Sequence, residues 1–260
     1  MLKILKYSFK DIFRSKWLLI YFGFFFVSTW FLLYFTNDPS KGLVSLLNII
    51  LMLIPLMAIV FSTIYFYNAR EFTELLLAQP IRRHAIFTGQ YLGLSLSMAG
   101  SFFLGSGIPF LFFGVQNSDS SGSLINMLLM GVLLSFVFSA LAFAISIYNE
   151  NRIKGFGLAI LVWLVMAIVY DGIFIYLMVR FSDYPLEKPA IALSLLNPID
   201  LARINILLQL DISALMGYTG AIFNKFFGTA MGMAVSVIAM LFWTLIPLFL
   251  YLRKAGRKDF

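Results

Sequence analysis

Few residues in this chain are able to do covalent or metal chemistry. Its 260 residues hold one histidine and no cysteine, which removes disulfides, thiolate nucleophiles and cysteine-ligated metals. It contains neither a G-x-x-x-x-G-K-[ST] phosphate loop nor an H-E-x-x-H zinc helix, so it binds no ATP by a P-loop and no zinc by a metalloprotease helix. Any ATP used must be hydrolysed by a partner. His84 stands beside Arg82 and Arg83 with no Asp or Cys nearby, and one imidazole cannot define a metal geometry. Ser106, between Gly105 and Gly107, would need that histidine opposite it at membrane depth to act as a nucleophile; small residues in such a run more simply pack helices together. The methionines pair as Met52 and Met57, Met127 and Met130, Met231 and Met233, all inside apolar runs where a thioether fills space. The expectation is a chain that is not itself an enzyme, with no catalytic residue, no metal site and no cofactor of its own.

One isolated charge and two segments remain. Asp171 lies between Tyr170 and Gly172 in an otherwise apolar run, and an ionisable residue at membrane depth is a functional signal. The partners identifiable from sequence are Tyr170 and the distal Arg180, and a place near the membrane interface is the alternative. The segment 68–89 runs Arg70, Glu71, Thr73, Glu74, then Leu75, Leu76 and Leu77, then Gln79, Pro80, Arg82 and Arg83. Pro80 ends a helix of about two turns that carries leucines between charged ends. Such a helix either docks a soluble protein or anchors a span at the interface. In the third segment Asn197 is placed to cap a helix with Pro198 at its first position and Asp200 in its first turn. The sequence predicts ordered amphipathic structure outside the membrane there, with Asn197, Pro198, Asp200, Arg203, Asp211 and Tyr218 on a face that docks an external partner.

The elements that must position these residues are membrane spans. Hydrophobic residues make up 61% of the chain and charged ones 12%, far from the soluble average. Six apolar runs of spanning length stand out: Trp17 to Phe35, Leu43 to Tyr67, Ile86 to Phe113, Leu124 to Ile147, Phe156 to Val179 and Thr229 to Leu252. Before them, Leu2, Leu5, Phe9, Ile12 and Phe13 alternate at helical spacing with Lys3, Lys6, Lys10 and Arg14, the pattern of a helix lying in the headgroup region. Fourteen of the basic residues fall on the side of the two termini and five on the other, which predicts that both termini are cytoplasmic. A seventh span within Ala190 to Gly228 would place Asp211 in the membrane and the basic tail outside, and is rejected on that cost.

The 68–89 segment also carries a resemblance. Glu71, Phe72, Thr73, Glu74, Leu75, Leu76, Leu77, Ala78, Gln79, Pro80, Ile81, Arg82 and Arg83 are similar to the E-x-T-E-x-L-L-x-x-P-[ILV]-x-R pattern of six-span ABC-2 permeases, with Phe72 where many members have Gly. Asn197 to Arg203 and Leu215 to Gly220, with the Gln79, Pro80 ending, resemble the permeases of the nitrous oxide reductase maturation transporter. The resemblance implies an all-α polytopic permease with six transmembrane helices. Residues 1–16 would be an interfacial amphipathic helix and 17–260 the permease domain, with 68–89 its cytoplasmic coupling segment and 180–228 a periplasmic helical loop. It further implies a bacterial inner-membrane homodimer working with two copies of a cytoplasmic ABC ATPase, which hold the ATP and Mg. A periplasmic beta-helical copper-handling protein would dock outside, receiving a sulfur species or mechanical action during copper-sulfur centre assembly. An ABC-2 exporter of a drug, peptide or lipid is the alternative, and nucleic acid is not an expected partner.

Overall fold

The computed structural model describes residues 16–36, 39–114, 121–181, 186–210 and 218–257, and every regular element among them is helical. The elements are α1 (Lys16–Thr36), α2 (Pro39–Asn68), α3 (Arg70–Leu77), α4 (Arg83–Phe112), α5 (Ser121–Tyr148), α6 (Arg152–Leu164), a π-helical turn (Val165–Val169), α7 (Tyr170–Arg180), α8 (Glu187–Leu195), α9 (Pro198–Gln209), α10 (Tyr218–Phe227) and α11 (Ala230–Arg257). Six helical stretches are long and apolar enough to cross a membrane: Lys16–Thr36, Lys41–Asn68, Arg83–Phe112, Ser121–Tyr148, Arg152–Arg180 and Met231–Arg257. These match the six expected runs, because in hydrocarbon only a helix satisfies a single segment's backbone groups internally. The amphipathic helix expected over residues 1–16 falls, apart from Lys16, outside the described residues.

The bundle is built around α5, which packs against α2, α4, α6, α9 and α11. Its side chains Met127, Leu134, Val137, Phe138 and Phe143 are fully enclosed. At the end of the bundle bearing the many basic residues, Phe143, Phe87 and Phe66 surround Tyr251 with ring centroids 5.2, 5.8 and 6.3 Å away in edge-on contacts. Such T-shaped pairs place positive ring edges on negative faces. Span 1 approaches span 3 closely at Gly105, where a Cβ would stand 2.8 Å from the Phe22 carbonyl oxygen. The outward faces of α1, α6, α7 and α11 are apolar, with Leu19, Leu161, Ile175 and Phe249 exposed, as a lipid- or protein-covered surface requires.

The loop between spans 5 and 6 departs from expectation. Asn197 caps α9 as predicted, its side-chain oxygen accepting from the Ile199 backbone at 3.0 Å. The helix does not lie outside the bundle. Asn197 Nδ2 donates to the Met166 carbonyl at 2.8 Å, and Trp243 Nε1 to the Leu195 carbonyl at 3.1 Å. Met166 is fourteen residues from each end of Arg152–Arg180, and Trp243 stands near the middle of Met231–Arg257. The bend between α8 and α9, 116°, therefore reaches the mid-depth of the spans. From there α9 climbs about 18 Å, and its C-terminal end is held at the opposite end of the bundle by Ser123 Oγ donating to the Gln209 carbonyl at 2.7 Å. α8 and α9 form a re-entrant hairpin. Asn197, Pro198 and Asp200 are buried in it rather than displayed on an outer face, because their polar atoms are taken up by the hairpin and span 5.

Candidate functional site

Two polar assemblies stand out, one at each half of the bundle. The first is α3, eight residues between spans 2 and 3. Thr73 and Leu77, one turn apart, face inward: Thr73 is buried and Leu77 packs on the core. Buried Gln90 of α4 donates to the Thr73 hydroxyl at 2.8 Å, and that hydroxyl donates to the Ala69 carbonyl at 2.7 Å. This chain of bonds ties α3 to span 3. On the other face Glu71, Glu74 and Leu75 point outward, with Leu75 68% exposed. The three leucines do not act as a unit, because two residues on a helix are separated by about 200°; Leu76 is half-buried between its neighbours. Arg70, Gln79, Pro80, Arg82 and Arg83 are exposed around them. The Arg70 to Glu74 pair at 3.1 Å is solvent-screened, and pairs of this kind contribute only tenths of a kcal/mol, roughly.

The second assembly is at the elbow of the re-entrant hairpin. One guanidinium nitrogen, Nη1 of Arg203, donates to Asp171 Oδ2 at 2.8 Å and to Asp200 Oδ1 at 3.2 Å. Asn197 Nδ2 donates to Asp200 Oδ2 at 3.2 Å as well as to Met166, and the Tyr170 hydroxyl donates to the Leu193 carbonyl at 2.6 Å. Asp171 thus has a partner in Arg203 of α9, thirty-two residues away, rather than in Arg180 as the sequence suggested. It lies about 7.5 Å from the level of Met166 along the helix, where an uncompensated charge is costly. Its side chain is 30% exposed and that of Arg203 34%. Of the other expected docking residues, Asp211 lies outside the described residues and the side chain of Tyr218 is not described.

Ser106 is buried and His84 exposed near the other end of the same helix α4, about 33 Å apart by helical rise, so they form no catalytic pair. Among the described residues no group of three or more His, Asp or Glu side chains is placed to hold a metal. Both assemblies stand on a frame of six spans. The sequence pattern of the ABC-2 family transporter proteins matches residues 2–259.

The chain belongs to the ABC-2 transporter family. It is accordingly the permease subunit of an ABC transporter, and permeases of this family work with an ATPase subunit and dimerise. The permease is also 28% identical, over 177 residues, to a probable ABC transporter permease protein NosY of Stutzerimonas stutzeri; the match covers 65% of this chain and 64% of that protein. Gln90 escaped the sequence, since it sits in an apolar run with nothing to mark it as the anchor of α3. Arg203 reads from the sequence as a docking residue, and its pairing with Asp171 is what the sequence does not show. The one available signal was Asp171 itself, since a carboxylate in a span calls for a cation within reach.

Proposed function

We propose that this permease converts closure of a partner ATPase into movement at the opposite end of the bundle, acting on a periplasmic copper-handling protein while the copper-sulfur centres of nitrous oxide reductase are assembled. The observation that carries the coupling part is α3: an apolar side chain, Leu75, held outward by an inward face locked through Thr73 and Gln90. An exposed leucine on a helix that also exposes Glu71 and Glu74, followed by exposed Arg82 and Arg83, has the make-up of an interface centre with a polar rim. Fourteen basic residues on the side of α3 support its cytoplasmic placement in an inner membrane. ATP and Mg then belong to two ATPase copies, one on each permease. The maturation role, as sulfur delivery or as mechanical work, is supported by the likeness to the NosY protein. The outer dock consists of exposed Lys188, Pro189, Asn224 and Lys225, together with Asp211 and Tyr218.

Co-expression with the cognate ATPase tests the coupling. Leu75→Asp is expected to abolish co-purification of the ATPase while the permease still inserts and keeps its thermal stability; retention of the ATPase at wild-type yield removes α3 as the dock. Expression of the wild-type chain in a denitrifier lacking its own maturation permease tests the rest. Restored copper-sulfur absorbance of nitrous oxide reductase supports the role, and a chain that binds ATPase without restoring it loses it. One observation favours the second reading, an exporter of a drug, peptide or lipid: an apolar cavity of about 510 Å³ between spans 1 and 2, lined by Trp17, Tyr21, Phe24, Met57 and Phe61 among others.

A further inference from the structure

Span 5 changes character at its middle. Its first half, α6, packs against α2 and α5, and Gly155 lies directly under the Tyr67 ring of span 2. The π-helical turn Val165–Val169 follows, closed by the Tyr170 N–H donating to the Val165 carbonyl. A π-turn inserts one residue into the helical register, rotating everything beyond it by about 100° relative to a regular helix, and such turns are points of bending. Beyond it, α7 has no buried residue. It is tied to the re-entrant hairpin by Tyr170 to Leu193 and Asp171 to Arg203, and otherwise by partly buried Phe174 and Met178, which pack on the core, the Phe174 ring stacking at 6.4 Å on Phe223 of α10. The hairpin itself belongs to the body, since α9 packs on α5, α2 and α11 and receives Asn126 Nδ2 at the Asn205 carbonyl, 3.0 Å away.

We propose that α7 is a movable arm hinged at the π-helical turn and latched to the body by Arg203, with Asp200 as the carboxylate that keeps Arg203 paired when Asp171 leaves. The chemistry of the shared nitrogen carries the point. Stripping a guanidinium of its counter-charge at this depth is costly, and a latch with a single carboxylate would not open readily. Arg203 Nη1 already holds both carboxylates, and Asp200 is on its own helix three residues earlier, so it stays with Arg203 however α7 moves. Asn197 fixes the other Asp200 oxygen. Asp171, the carboxylate on the arm, is 30% exposed. The latch rests on the family assignment alone and not on what the permease serves.

The two carboxylates then have opposite effects, which a merely structural role does not produce. The chain has no cysteine, so spin labels at Ile175→Cys on α7 and Gln209→Cys on α9 report the arm, and Leu158→Cys with Gln209→Cys reports the inner half. In nanodiscs, with the ATPase bound and trapped with magnesium and ATP, the α7 to α9 distance is expected to lengthen by about 5 Å, the scale of a one-turn displacement, while the α6 to α9 distance stays. Without nucleotide or ATPase, Asp171→Asn is expected to populate the long distance that the wild type lacks. Asp200→Asn is expected to keep the short distance and to reduce the nucleotide-induced long population several-fold. Identical distances in all nucleotide states, or the same direction of change in both variants, overturns the latch. The Asp171→Asn comparison needs no ATPase, so a failure of docking at Leu75 is distinguished from a failure of the latch. Deletion of Ala167 gives a second reading: it removes the extra residue of the π-turn, so a regular helix keeps Asp171 facing Arg203 and the short distance without nucleotide, while the nucleotide-induced long population is expected to fall several-fold for want of the hinge; a long population equal to wild type counts against the hinge.

Discussion

Tyr67 and Gly155 show how single side chains set the geometry at the basic end. The Tyr67 hydroxyl donates to the Asn149 carbonyl at 2.8 Å, joining the end of span 2 to the turn that leads from span 4 to span 5. Asn151 then starts α6, its side chain accepting from Ile153 N at 2.9 Å. Gly155 follows at the place where any Cβ would overlap the tyrosine ring. Gly155→Ala is therefore expected to push Tyr67 off its carbonyl and destabilise the permease by about 1–3 kcal/mol, from overpacking and the lost bond. Thermal unfolding in mild detergent measures it. In a Tyr67→Phe background, which removes the colliding oxygen, the same substitution is expected to cost markedly less; equal costs in both backgrounds place the strain elsewhere. The sequence displayed Gly155 as one of eighteen glycines, and nothing in its neighbours announced a tyrosine eighty-eight residues away.

At the scale of elements, the six spans were legible because each is a long apolar run and the membrane leaves a segment little choice but helix. The cap of α9 was legible too, since Asn197 and Pro198 act locally. Its depth was not. Asn197, Asp200 and Arg203 read as surface residues because polarity on one helix is ordinarily a solvated face; here each is satisfied by a group on the hairpin or on span 5, a long-range fact. α3 was legible as a helix ended by Pro80, but its three leucines read as one apolar group, whereas Leu75 alone is exposed and Leu77 packs on the core. The Gln90 to Thr73 bond joins a side chain of α3 to one of span 3. If α3 passes force to span 3 through it, Gln90→Leu keeps ATPase binding through Leu75 and lowers permease-stimulated ATP hydrolysis several-fold, since removing one partner leaves the buried Thr73 hydroxyl with its Ala69 carbonyl alone. Stimulation equal to wild type in reconstituted complexes shows that α3 is coupled by packing instead.

For the whole molecule, the question is which outward face meets a second copy. Spans 5, 6 and 1 are the least enclosed, with 11%, 22% and 28% of their most apolar stretch buried, against 50% or more for spans 2, 3 and 4. Apolar exposure does not choose among them, because lipid covers any of these faces equally well. Polarity does. Asp171 and Arg203 are about one-third exposed in the single chain at a level where hydrocarbon would surround them, and the pair is cheaper to keep where protein or enclosed water covers it. A two-fold interface along span 5 supplies that cover and repeats the same patch on both copies. Ile168→Cys and Ile173→Cys, both on exposed positions of span 5, are expected to form dimer crosslinks in native membranes, while Phe249→Cys on the exposed face of span 6 stays monomeric under the same oxidant. The reverse pattern places the interface on span 6, in which case Asp171 faces lipid and the arm formed by α7 opens toward the bilayer rather than toward the second permease.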